Sequence, residues 1–397
     1  MNDLLLKSVR PWGDESVDLL IRDGRIAAMA PNLTAEGVEV IDGKGHIALP
    51  GLVDAHTHLD KSLLGWPWYR NEVGAQLLDK IDNERQVRQA LGLDAQVQSM
   101  RHALRSLAFG TTLIRSHVDI DTEQGLKALE GVIETRRRLC EVLDIELVAF
   151  PQSGVMRRPG TIELLDRALA LGADLLGGLD PCAIDRDPKG QLDVLFELAE
   201  KHGKGIDLHL HETGELGAFS MALVFERIRA HGMQGQVSIS HAFCLGAPDW
   251  QRTQALIDEC AELGVTILTT APASREVPAI QRLIAAGVPI GVGNDGVRDT
   301  WGPYGNADML ERAKLLGLRN NLRRDDEIEL ALELCSYRGA KAIGQEARRL
   351  KVGERADLFL ATGETVAEAV VTHAPRALVI SHGRVVARNG EAVLPMP

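Results

Sequence analysis

Imidazoles and carboxylates recur where four short β-rich runs end. The runs finish Asp54-Ala55-His56-Thr57-His58-Leu59-Asp60, Asp207-Leu208-His209-Leu210-His211-Glu212, Ser238-Ile239-Ser240-His241 and Gly293-Asn294-Asp295-Gly296. Residues i and i+2 of a strand share a face, so His56 and His58 converge on one point. A lone His-x-His is a weak signal, because a strand-end imidazole is often only hydrogen-bonded in a core and Asp before Gly is usually a turn residue. Four such groups at four strand ends are a stronger one. Three imidazoles and a carboxylate around one mouth suit a borderline divalent metal such as zinc or iron, with a position left for water. His117, in Arg115-Ser116-His117-Val118-Asp119, either lines the same space or supports the ligands from behind. His46, His102, His202, His231, His373 and His382 fall in loops or at exposed helical positions and read as solvated.

Such groups need a frame to hold them. Candidate strands at 51–56, 111–117, 145–150, 174–179, 205–210, 236–241, 265–270 and 288–292 alternate with amphipathic helical stretches such as 164–171, 192–202, 250–263 and 279–286. Eight strands with intervening helices over about 300 residues is the arithmetic of a (β/α)8 barrel, whose strand C-termini carry the active site. A doubly wound sheet would want a glycine-rich phosphate loop after an early strand, and neither GxGxxG nor GxxxxGK[ST] occurs. The two chain ends read differently. Residues 17–22 and 25–29 flank Asp23-Gly24 as a hairpin, 38–41 and 46–49 continue the pattern, and 356–361, 377–381 and 384–388 repeat it around His382-Gly383. Neither end has enough apolar residues for its own core, so the expectation is one β-sandwich domain from residues 1–50 plus 347–397, beside a catalytic barrel of 51–346.

Composition narrows the function classes. Among 397 residues, 44 are Lys or Arg and 56 Asp or Glu, a formal charge of −12 that disfavours nucleic acid and anionic lipid as partners. No apolar run approaches the ~20 residues of a membrane span, and the first residues lack the pattern of a signal peptide. Five scattered cysteines without a CxxC pair fit a reducing cytoplasm and argue against a disulfide or thiolate-zinc scaffold. A globular, cytoplasmic enzyme is the expectation.

The arrangement resembles the amidohydrolase superfamily, which carries HxH on strand one, His on strands five and six and Asp on strand eight of a (β/α)8 barrel, commonly with a small β-sandwich from both termini. Within it, the chain is similar to the cytosine deaminase and N-isopropylammelide amidohydrolase branch. The matching segments are His56-Thr57-His58-Leu59-Asp60-Lys61, Arg115-Ser116-His117-Val118-Asp119, Phe150-Pro151-Gln152-Ser153-Gly154, His209-Leu210-His211-Glu212, Ser240-His241-Ala242 and Asp295-Gly296-Val297-Arg298-Asp299-Thr300-Trp301. The resemblance implies one divalent metal, zinc or iron, on His56, His58, His209 and Asp295. The dinuclear kind usually has a Lys or another bridging acid at the end of strand four, which here reads Leu176-Gly177-Gly178-Leu179-Asp180-Pro181. It also implies that His241 orients the water, Asp295 accepts its proton, and Glu212 shuttles protons to the ring nitrogen and the departing amine. His211 is left as a supporting residue.

Gln152 matches the glutamine that reads the carbonyl and ring N–H of a pyrimidine, and Trp301, with Trp66 as a weaker candidate, would wall a flat ring. Cytosine deaminases commonly have a second acid after the strand-eight Asp. Gly296 stands there instead, removing a charge and a side chain's volume and so implying room for a larger or substituted ring. The resulting expectation is hydrolytic deamination of a cytosine-like aminoheterocycle by a homo-oligomer. The alternatives are an N-alkylamino-s-triazine hydrolase or a deaminase of a pterin or aminopurine, then a cyclic-amide hydrolase, then an inactive binding protein.

Overall fold

A computed structural model describes residues 3–393; Met1, Asn2 and residues 394–397, which the sequence assigns to the terminal domain, lie outside the described residues. Five strands open the chain: β1 (Leu4–Pro11), β2 (Val17–Arg22), β3 (Arg25–Ala30), β4 (Glu39–Asp42) and β5 (Ile47–Pro50). Eight follow: β6 (Leu52–Thr57), β7 (Thr111–Asp119), β8 (Asp144–Phe150), β9 (Leu175–Leu179), β10 (Gly205–Leu210), β11 (Val237–His241), β12 (Thr266–Thr269) and β13 (Ile290–Val292). The last are β14 (Leu358–Ala361), β15 (Arg376–Ser381), β16 (Arg384–Arg388) and β17 (Glu391–Ala392).

Strands β6 to β13 form one parallel sheet in sequence order, with helices between them, as expected of the (β/α)8 barrel. Closure between its two edges is made at the site itself: the Asp295 N–H donates to the His56 carbonyl at 2.8 Å, and Thr57 bridges Asp295. Lower in the barrel, the buried Arg115 ties four strands together through Glu146 at 2.6 Å, Asp207 at 2.9 Å and Ser238 at 3.2 Å. Its guanidinium keeps company with carboxylates because an unpaired charge would be prohibitive there.

The termini build a second layer in which side chains alternate between two cores. Ile47, Leu49, Phe359, Ala361 and Val379 face the barrel core, whereas Ala48, Leu358, Leu360, Leu378 and Ile380 face a smaller core with Leu4, Leu6, Leu19 and Ile26. This is the period-two pattern of a sheet buried on both faces. β1, which opens on the unalternating run Leu4-Leu5-Leu6, is not among the strands expected from the sequence. In the fold it is central: its first half pairs with β2 and β4, its end pairs with β5, and Ser8, at φ 52°, turns it between them. No helix among the described residues is long and apolar enough to cross a membrane.

The resemblance between Asp23-Gly24 and His382-Gly383 has a structural cause. Both pairs hold positive φ, as two-residue hairpin turns require, and the turns lie back to back. A Cβ on Gly383 would stand 2.3 Å from the Gly24 Cα. Gly383→Ala is therefore expected to lower stability by about 2 kcal/mol or more, read as a fall in the thermal midpoint, because the residue adds both a left-handed strain and a backbone clash.

Candidate active site

The geometry fixes the role of His56. The Ser240 hydroxyl donates to Asp207 Oδ1 at 2.7 Å and lies 2.8 Å from His56 Nδ1. A hydroxyl has one proton, so toward His56 it accepts, and Nδ1 carries the hydrogen. Nε2 is left as a lone pair, 3.7 Å from Asp295 Oδ1, and His58 Nε2 reaches the same oxygen at 3.4 Å. Ligand atoms of His56, His58 and His209 lie within 4.8 Å of one another, as do those of His56, His241 and Asp295. His56 Nε2, His58 Nδ1 and both ring nitrogens of His209 and His241 have no hydrogen-bond partner among the described residues.

Electrostatics keeps these rings in the ligating form. Burial holds His209 and His241 well below the ordinary imidazole range and pushes His58 down to about 4. Desolvation alone would raise the Asp295 carboxyl, but the surrounding imidazoles, with His58 Nε2 at 3.4 Å and the His241 ring, hold it well below the usual carboxylate range. Neutral imidazoles around a carboxylate, with buried lone pairs unpaired, fit a divalent cation. The backbone is strained at the same place: His241 and Asp295 hold φ of 71° and 64°, a region non-glycine residues enter at a cost.

The other residues named from the sequence fall into two groups. His117 is fully buried in the same cluster, its ring 4.2 Å from that of His56 and 4.5 Å from that of His209, and both its ring nitrogens are without a partner among the described residues. His211 stacks on His241 at 4.2 Å and is held by Asp180, whose Oδ2 lies 2.7 Å from its Nδ1. Glu212 is buried, with Oε1 accepting from the N–H of Cys182 at 2.9 Å and Ala183 at 2.7 Å, while Oε2 meets the Ser220 hydroxyl. Burial raises its carboxyl above the ordinary range, against the pull of those donors. Gln152 is buried at the end of β8, its Oε1 accepting from Lys61 Nζ at 2.6 Å. Trp301 packs with Ile81, Phe150, Leu179 and Ile184, and Phe150 stacks on His209 at 4.0 Å, so the indole belongs to a wall beside the imidazole cluster. Trp66 is half-buried and takes no part in that wall, and Trp68 is exposed.

Two expectations need correction. Gly296 does not leave a vacancy: a Cβ there would stand 2.0 Å from Asp299 Oδ2, so another carboxylate fills the space and restores the charge. His102 is not solvated but fully buried, and burial pushes it down to about 4; its helix, Ala95–Ala108, turns that face inward.

Sequence reasoning also missed a buried charge cluster. Lys61 meets Gln152, Asp119 at 3.2 Å and Glu84 at 3.3 Å; Arg88 meets Asp119 at 2.6 Å and Asp60 at 3.0 Å. The Glu84 carboxylate also accepts from the Trp301 indole N–H. Glu84 and Arg88 come from the helix Leu77–Leu91, outside the barrel strands, and their i, i+4 spacing was the only sequence signal. Through them this helix braces both the wall and the Gln152 amide.

Several known proteins resemble this chain along nearly its whole length. Residues 82–387 match the model of a family described as the amidohydrolase family. The crystal structure of N-isopropylammelide isopropylaminohydrolase from Burkholderia multivorans ATCC 17616 is 52% identical, with a TM-score of 0.95, over 99% of this chain and 100% of that one. N-isopropylammelide isopropyl amidohydrolase of Pseudomonas sp. (strain ADP) is 29% identical over 395 residues, 98% of each chain. Pterin deaminase of Rhizobium rhizogenes (strain K84 / ATCC BAA-868) is 28% identical over 394 residues, 94% of this chain and 88% of its own.

Proposed function

The chain belongs to the amidohydrolase family, a family of carbon–nitrogen hydrolases that includes deaminases, and from that premise we propose that it hydrolyses an exocyclic C–N bond of a small aminoheterocycle. The observation that carries this reading is the gathering of His56, His58, His209, His241 and Asp295, with unpartnered ring nitrogens, beside the Trp301 wall. His56, His58, His209 and Asp295 would hold one divalent cation, zinc or iron. Bound there, the ion supplies a nucleophilic hydroxide near neutral pH by lowering the pKa of water.

The chain's own groups do the rest. His241 orients the attacking oxygen and Asp295 takes its proton. Glu212 delivers a proton to the ring nitrogen and then, reloaded with the proton that Asp295 took from the attacking oxygen, gives it to the leaving amine, so that the C–N bond breaks as an oxo group forms. Its setting accommodates both protonation states: two N–H donors hold Oε1, and the Ser220 hydroxyl can donate to Oε2 or accept from it. Gln152 and Trp301 position the ring.

The leaving group separates two readings. The His209-x-x-Glu212 motif supports a free amine, as in a cytosine-like ring. The two N-isopropylammelide relatives support an alkylamine on an s-triazine, and the pterin deaminase supports a larger ring. A screen that measures both ammonia and alkylamine over cytosines, amino- and N-alkylamino-s-triazines, pterins and aminopurines tests the proposal. Amine release from at least one oxo-substituted ring is expected. Opening of a cyclic amide with no amine release from any of them would overturn it.

A further inference from the structure

The loop after β13 carries a carboxylate that the reaction above does not use. Asp299 is only 6% exposed. Its Oδ1 accepts from the N–H of Trp301 at 2.8 Å and Gly302 at 3.0 Å, closing a tight turn. Oδ2 has neither a hydrogen-bond nor an ion-pair partner among the described residues. In a residue so little exposed, an acceptor without a protein partner is free to take a donor brought by a ligand.

Its position says which ligand. Oδ2 lies against the backbone of Gly296, the residue after Asp295, since a Cβ there would be 2.0 Å away. Lys61 and Asp295 are the charged side chains whose fields it feels. The turn that Oδ1 closes also sets the backbone of Trp301, whose indole belongs to the wall beside the imidazole cluster. The free oxygen therefore lies beside the residue that follows Asp295.

Gln152 supplies the complementary half. An ammonium only donates, so the Gln152 atom 2.6 Å from Lys61 is its oxygen, and the amide N–H group is what remains to offer. The expected reading of both a carbonyl and a ring N–H by Gln152 thus splits between two residues.

We propose that Asp299 is a specificity-determining residue that accepts an N–H of the bound ring through Oδ2, that Gly296 is glycine so that this carboxylate can lie there, and that the ring is a lactam presenting an oxo acceptor to Gln152 and a ring N–H to Asp299. The inference deepens the deaminase reading and rests on it. It excludes rings alkylated or glycosylated at that nitrogen.

Asp299→Asn separates this role from a structural one. The asparagine keeps the oxygen that closes the turn but puts an NH2 where the free acceptor was. Fold, thermal midpoint and cation content should stay as in the unaltered protein. KM for the lactam ring should rise about 10- to 100-fold, with a smaller change in kcat, and discrimination against the ring-N-methyl analogue should vanish. Gly296→Ala, which pushes on the same oxygen, should raise KM similarly, and the double variant should lose no more than either alone. Calorimetric binding of the oxo product to the holoenzyme gives the same comparison without turnover. If Asp299→Asn binds and discriminates these rings as the unaltered protein does, the inference is overturned and the deaminase reading survives. If the unaltered protein releases amine from no ring, the deaminase reading falls, and the inference falls with it unless the oxo product still binds in an Asp299-dependent way.

Discussion

Chelation of the purified protein should abolish turnover, and returning about one equivalent of zinc or iron per chain should restore it. Six unpartnered ring nitrogens of His56, His58, His209 and His241 cannot be reconciled with a dry, unliganded core so long as the imidazoles stay neutral, and burial holds His58, His209 and His241 below the ordinary imidazole range. The expected stoichiometry of one has its own reason. A second cation would need a bridging group at the end of β9, but no lysine stands there. The carboxylate that does, Asp180, is already spent on the His211 and Glu212 backbone N–H groups at 2.6 and 3.2 Å and on the His211 ring at 2.7 Å. Metal analysis giving two ions per chain, both required for activity, would refute the single-cation reading.

Glu212→Gln is the second change with a large expected effect. Glutamine can keep its oxygen toward the Cys182 and Ala183 N–H groups and donate from its nitrogen to Ser220, so the turn 181–185 that these contacts anchor should persist. What it cannot do is carry a proton. Turnover should fall by about 10²- to 10⁴-fold with cation content unchanged. Near-normal turnover would leave Glu212 as an anchor of that turn and move proton delivery to another group. Loss of cation content instead would mean that the turn, rather than the proton, is what Glu212 supplies.

The frame was legible in the sequence because its signals are local. Strands buried on both faces read as short apolar runs, helices as a 3.6-residue period, and the hairpins as Asp-Gly and His-Gly pairs. All eight barrel strands were read this way, with ends within a few residues of those observed. β1 escaped because Leu4 to Leu6 are all buried, so the run shows no alternation, and the link 12–16 to its antiparallel neighbour β2 is not a two-residue Asp-Gly or His-Gly turn of the kind that marks the other hairpins.

The convergence of His56, His58, His209, His241 and Asp295 was likewise legible in the sequence alone: a strand's two-residue repeat aims His56 and His58 together, and a parallel barrel brings the ends of β6, β10, β11 and β13 to one mouth. What only the tertiary structure decided was which polar atoms remain free. Ser240 and Asp207 choose the His56 tautomer, Lys61 takes the Gln152 oxygen, and Glu84 reaches in from a helix 23 residues beyond Lys61. Gly296 shows the difference most plainly. In the sequence it is a missing acid, whereas in the fold it is the space that Asp299 fills. A hydrogen-bonding group can be counted in a sequence, but whether it is already satisfied depends on neighbours tens or hundreds of residues away, and substrate recognition depends on those that are not.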